Sequence, residues 1–143
     1  PIAQLRLLHY PAQDPVNTSE TNLGIGKHCD YECLTILAQD NMGGLQIENL
    51  EGDWIEAPSI EGAYVINIGE MLTRWTNGLF KATPHRVVNI KGGSRYSIPF
   101  FFATNYDTNI KPLDVCITEN NPVQFEAIKA GDYLLSRLKE IYG

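Results

Sequence analysis

The chain has 143 residues, 43% of them hydrophobic and 20% charged, which is enough apolar material to bury a sizeable core in one domain spanning 1–143. With 17 acidic residues against 11 basic ones the formal net charge is -6, and no Lys/Arg cluster stands out, so nucleic acid is not expected as a partner and a small molecule is. No apolar run approaches the ~20 residues needed to cross a bilayer, so no membrane partner is expected either.

In chain order, the first segment with strand composition is "IAQLRLLHY", from Ile2 to Tyr10. The segment "CLTILAQ" comes next, closed by the turn signal "DNMGG", then "LQIENL" closed by "EGD", then "GAYVINIG". A short helical piece is expected around "EMLTRWTN". Two further strands, "HRVVNI" closed by "KGG" and "RYSIPFFFAT", precede a terminal helix over about Gly131 to Tyr142. Asp132 is its expected N-cap, and Leu134, Leu135, Leu138, Ile141 and Tyr142 form an apolar stripe at helical spacing. The pattern is mainly β and antiparallel, suited to a sandwich, barrel or jelly roll. No repeat, low-complexity segment or interdomain linker interrupts it.

Three cysteines are an odd count. If Cys29 and Cys33 lie in one strand they stand about 13 Å apart, whereas a disulfide needs Cα atoms within about 7 Å. Both, with Cys116, are expected as free thiols in a reducing compartment.

The chemistry-bearing residues come in a particular order. On a strand, His28 and Asp30 project from one face, with Cys29 and Tyr31 on the other. His85, in "KATPHRVVN", supplies a third ligand type. Two histidines and a carboxylate that leave other coordination positions open are the arrangement of non-haem Fe(II) oxygenases. Ten residues further on, "RYSIPFFF" puts Arg95 and Ser97 on one strand face. A guanidinium fork with a hydroxyl beside it matches a carboxylate. Each pattern alone has an ordinary explanation, a polar pair in a strand, a buried histidine or a solvated arginine. Their common order points to one site.

Carried by "LRLLHYP", "GIGKHCDYECLTILAQD", "GGLQI", "WIEAPSIEGAYVINIGEMLTRWTNGLFKATPHRVVN", "RYSIPFFFATNYD" and "AGDYLLSRL", the sequence resembles the catalytic domain of the Fe(II)/2-oxoglutarate-dependent dioxygenases of the isopenicillin N synthase-like superfamily. The resemblance implies a double-stranded β-helix, or jelly roll, with a C-terminal helix. It implies that His28, Asp30 and His85 bind Fe(II), that Arg95 and Ser97 hold the far carboxylate of 2-oxoglutarate, and that Tyr10 lines the co-substrate site. Two positions depart from the common pattern: Leu8 stands where plant members usually have asparagine, and Glu70 follows Gly69 where aspartate is common. The family's N-terminal helical region is not in these residues. The chain starts at Pro1 and enters a strand-like run at once, as if cut from a longer one, so the expected cytoplasmic location leaves room for a targeting segment ahead of it.

The resemblance further implies an Fe(II) enzyme that uses O2 and 2-oxoglutarate to hydroxylate, desaturate or cyclise a small molecule, releasing succinate and CO2. Two other readings are a same-fold oxidase that does not use 2-oxoglutarate and a catalytically inactive metal-binding β-module. Arg6, Tyr31 and Phe101 are the candidate substrate contacts. Tyr31 and Arg6 also have plain packing or solvated readings, and Trp54 and Trp75 are expected as packing residues. The motif wording is nearer to microbial or fungal members than to plant flavonoid enzymes. The sequence leaves oligomeric state open.

Overall fold

A computed structural model describes residues 1–12, 23–88 and 93–142, with residues 141 and 142 described by backbone alone. Among them the alternating segments form β1 (Ala3–Leu5), β2 (Leu8–Tyr10), β3 (Leu23–His28), β4 (Leu34–Gln39), β5 (Leu45–Glu48), β6 (Trp54–Glu56) and β7 (Val65–Ile68). After these come α1 (Glu70–Trp75), β8 (His85–Val88), β9 (Arg95–Phe102), β10 (Asn109–Ile110), β11 (Ile128–Lys129) and α2 (Ala130–Tyr142). One sheet has the order β1-β9-β4-β7, with β2 also on β9, and a second has the order β3-β8-β5-β6. A small β10-β11 ladder lies apart from both, and every pairing is antiparallel. This is the mainly β jelly-roll architecture with a closing helix.

The inner faces of the two sheets meet over Tyr10 and Leu37 from one side and Leu45 and Val87 from the other. A second apolar cluster joins Cys33, Met71, Ala103, Ile110, Ala130 and Leu134, fastening both helices to the larger sheet. Between the helices, Arg137 forks onto both carboxylate oxygens of Glu70 at 2.7 Å, and the Tyr133 hydroxyl donates to the same carboxylate. Glu70 therefore anchors the terminal helix.

Several elements differ from the sequence expectation. The run from Ile2 to Tyr10 is two strands, both on β9, broken at Arg6 and Leu7 opposite Pro99. The Arg6 amide donates to the Pro99 carbonyl at 3.0 Å, so that side of Pro99 has an acceptor but no N–H to return, and the ladder lapses there. Asp132 is not the N-cap: α2 starts at Ala130, which places Asp132 in the first turn, accepting from the Tyr106 hydroxyl at 3.0 Å where a carboxylate suits the helix dipole. Of the expected stripe, Leu134 is buried while Leu135 and Leu138 are 45% and 42% exposed, so only one edge of it is covered. The side chains of Ile141 and Tyr142, the strand end at Asn89 and Ile90, and Lys91 and Gly92 of the "KGG" turn lie outside the described residues. In the "DNMGG" turn Gly43 and Gly44 take φ of 76° and 87°, which side chains rarely adopt. Cys29, Cys33 and Cys116 are free thiols, although residues 29–33 form a bend and not the straight strand assumed for them. Trp75 packs on the helical cluster, and Arg86 stacks over Trp54 at 4.1 Å. No helix among the described residues is long and apolar enough to cross a membrane.

Candidate active site

His28 closes β3 and His85 opens β8, and the two stand directly opposite in the ladder with ring centroids 4.3 Å apart. Nδ1 of His28 donates to the Gly26 carbonyl at 2.8 Å and Nδ1 of His85 to the Thr83 carbonyl at 3.0 Å. A carbonyl can only accept, so in the neutral rings each Nε2 carries the lone pair. These atoms face Oδ1 of Asp30, at 3.8 Å from His28 and 3.5 Å from His85. Burial lowers the pKa of His28; the Gly26 hydrogen bond opposes this, nearby His85 adds to it and Asp30 opposes it.

Asp30 reaches this position by another route than strand alternation. β3 ends at His28, so His28 and Asp30 do not share one strand face. The chain leaves the sheet and is caught by α1: the Glu70 amide donates to the Asp30 carbonyl at 2.8 Å and the Met71 amide to the Tyr31 carbonyl at 3.2 Å. Asn67 Nδ2 holds Oδ2 of Asp30 at 3.4 Å, leaving Oδ1 toward the imidazoles. Gly69 makes room for this turn, since a Cβ there would lie 1.9 Å from the Glu32 carbonyl oxygen.

Along β9, Arg95 and Ser97 are 1% and 3% exposed, while Tyr96 and Ile98 turn outward. Arg95 Nε donates to the Gly43 carbonyl at 2.8 Å and Nη2 to Gln39 Oε1 at 3.2 Å. Nη1 is buried with no hydrogen-bond partner among the described residues. Tyr10 lies beneath the guanidinium, its ring centroid 4.9 Å away, in the apolar cluster and not on the cavity wall. The histidines, Asp30, Arg95 and Ser97 all line one cavity between the sheets. Leu8, Ile25, Leu37, Leu45, Val87 and Pro99 complete an apolar wall.

The three substrate candidates separate. Phe101 lines the cavity, and the exposed Arg6 places its guanidinium 5.5 Å from that ring. Tyr31 lies against the helical apolar cluster, with Arg137 5.0 Å over its ring, and is not on the cavity wall. Phe100 and Phe102 face each other at 6.3 Å, with Phe102 39% exposed. Sequence reasoning missed Thr35, Gln39, Gly43 and Asn67. The alternation of Thr35, Leu37 and Gln39 along β4 was a usable signal, whereas Asn67 needed the β4–β7 register.

The donor set fits the expected groups. Two Nε2 lone pairs and a carboxylate oxygen, all within 4.8 Å of one another, suit a divalent transition metal. The unpaired Nη1 of Arg95 is the donor a second carboxylate would satisfy.

Residues 1–104 match the family model of the 2OG-Fe(II) oxygenase superfamily. The chain belongs to that superfamily. Fe(II) and 2-oxoglutarate are the metal and co-substrate that the family's description names. This oxygenase chain is 38% identical to the 2-oxoglutarate-Fe(II) type oxidoreductase hxnY of Emericella nidulans, over 99% of its own length and 41% of the relative's. It is 39% identical to a homoarginine-6-hydroxylase of Glycine max, over 96% of its length and 43% of the relative's. Among solved structures, a full-length Neurospora crassa protein in complex with alpha-KG and thymine superposes with a TM-score of 0.91 at 36% identity, over 98% of this chain and 44% of that one. The chain thus spans less than half the length of the relatives it matches.

Proposed function

We propose that this chain carries the catalytic centre of a dioxygenase that hydroxylates, or by variant outcomes desaturates or cyclises, a small organic molecule while converting 2-oxoglutarate to succinate and CO2. The observation that carries this reading is the layering of the cavity. A cationic donor with an open valence stands on β9, a metal-binding triad stands beyond it, and an apolar belt lies between. A molecule with a carboxylate at one end, methylenes in the middle and a chelating 2-oxo acid at the other has that same pattern.

In this reading His28, Asp30 and His85 hold Fe(II), and Arg95 with Ser97 receives the far carboxylate. The bound metal and co-substrate supply the activation of O2 for attack on an unactivated C–H bond. The chain's residues do the positioning. The Gly26 and Thr83 carbonyls fix the imidazole tautomers, and Asn67 turns one oxygen of Asp30 away from the triad. Gln39 and Gly43 hold Arg95 so that its free N–H needs no reorganisation to meet its ligand. The apolar belt keeps water from a reactive centre.

Phe101 and Arg6 are proposed as the substrate side of the cavity, an aromatic wall with a cation at its rim. That pairing suits a flat or polar small molecule, of the kind that the thymine in the Neurospora crassa complex exemplifies. The packing of Tyr31 favours a structural role for it. A cytoplasmic setting, where free thiols persist, agrees with the three unpaired cysteines.

Anaerobic titration of Fe(II) and then 2-oxoglutarate into the intact protein tests the assignment. Chelation of the keto acid should give a weak visible charge-transfer band, lost in Arg95→Ala. Fe(II) binding without any band would support an oxidase or an inactive metal module instead.

A further inference from the structure

The larger sheet carries a second unpaired group. Thr35 is 2% exposed, lines the cavity, and its hydroxyl is buried with no hydrogen-bond partner among the described residues. Such a vacancy is costly in a folded interior and calls for a ligand or an occupant. The register places it. On β4, Thr35 stands opposite Asn67 of β7 and opposite Phe101 of β9. Asn67 holds Asp30, so Thr35 belongs to the metal end of the cavity. Gln39, which holds Arg95, is four residues further along the same inner row, about 13 Å of strand away. Thr35, with one unpaired donor, and Gln39, which holds the other at Arg95, thus stand at opposite ends of one strand row.

At the metal end both histidine Nδ1 atoms bond backbone carbonyls, and one N–H of the Asn67 amide bonds Asp30. Resting on the function proposed above, we propose that the Thr35 hydroxyl is a second co-substrate contact, donating to the carboxylate next to the keto group. This is the end chelated at the metal. A hydroxyl is suited to this place, since a second cation there would repel the metal, while an apolar residue would leave that carboxylate without a donor.

The experiment uses the intact protein with Fe(II) under anaerobic conditions and two acids, 2-oxoglutarate and 2-oxobutyrate, which has the same 2-oxo acid end but no far carboxylate. The charge-transfer band gives the dissociation constant of each. Thr35→Val keeps the shape and removes only an unpaired hydroxyl, so its thermal unfolding should match or exceed that of the unmodified protein; Thr35→Ala replaces it if the valine variant does not fold. The expected result is a loss of about tenfold or more for both acids, unchanged affinity for Fe(II) alone, and recovery in Thr35→Ser. Arg95→Ala should weaken 2-oxoglutarate and leave 2-oxobutyrate as it was. Binding of both acids within twofold of the unmodified protein overturns the proposal. So does an equal loss of Fe(II) affinity, which would make Thr35 a support of the triad. Absence of a band in the unmodified protein with either acid would remove the functional reading itself, and this contact with it.

Discussion

His28 and His85 face each other across the β3–β8 ladder, one at the last residue of its strand and one at the first of the other, each tied by Nδ1 to a carbonyl two residues back in the chain. The metal-binding pair is thus one rung of a sheet. Its spacing is set by backbone hydrogen bonding, before any ion arrives.

His85→Ala should therefore remove metal binding while the fold persists. Loss of the ring leaves a small void and frees the Thr83 carbonyl, at a cost of about 1–3 kcal/mol, against the 5–15 kcal/mol that commonly holds a domain. Calorimetric titration with Mn(II) or Fe(II), beside a thermal melt, checks both halves. Collapse of the melt would mean that the rung is structural first.

Gln39 acts on the co-substrate only through Arg95. In Gln39→Leu the Nη2 hydrogen loses its acceptor and the guanidinium is free to turn, so KM for 2-oxoglutarate should rise about tenfold, the worth of one charge-assisted hydrogen bond, with kcat little changed. Succinate release at saturating and limiting co-substrate separates the two constants. An equal fall in kcat at saturation would argue against a positioning role.

Gly69→Ala places a methyl 1.9 Å from the Glu32 carbonyl oxygen and 3.2 Å from that of Asp30. The turn carrying Asp30 must shift, so metal affinity should fall by at least tenfold, alongside a stability loss of about 1–3 kcal/mol. Retention of full affinity would show that the turn relaxes elsewhere.

The Tyr133 phenol is pushed well above its ordinary value of about 10 by burial, with its hydrogen bond to Glu70 adding to the shift. The raised value means that the folded state keeps the proton longer than the unfolded one. Its stabilising contribution is complete below pH 10 and is lost as pH rises from there through the folded-state value. Denaturant midpoints measured across pH 9 to 11 should fall in the unmodified protein and fall less in Tyr133→Phe. Matching slopes would dissociate Tyr133 from the helix lock.

Much of this was legible in the residues. The β pattern, the closing helix and the order of His28, Asp30, His85, Arg95 and Ser97 follow from composition, period and residue type. The reason that His28 and Asp30 come together was not legible, because β3 stops between them and α1 supplies the hold on Asp30 through backbone groups that every sequence possesses. Thr35 and Asn67 were hidden likewise: which polar residues of β4 and β7 meet depends on ladder register. The break at Arg6 could have been anticipated from Pro99 once its pairing side was known, and that side is a property of the assembled sheet. Asp132 misled because an acidic residue serves equally as a cap or in the first turn.

The two halves of the cavity belong to different sheets. The imidazole rung lies in β3 and β8, and the arginine and serine lie in β9 on the facing layer. A chelating ligand that touches both would behave as a clasp on the sandwich, resisting any motion that slides one layer over the other. Metal alone ties the imidazole rung to the Asp30 turn, whereas metal with the dicarboxylate also reaches Arg95 and Ser97 on β9. The gain in melting temperature from both together should therefore exceed the sum of the separate gains, since each makes the other's binding tighter and the folded state collects the linkage.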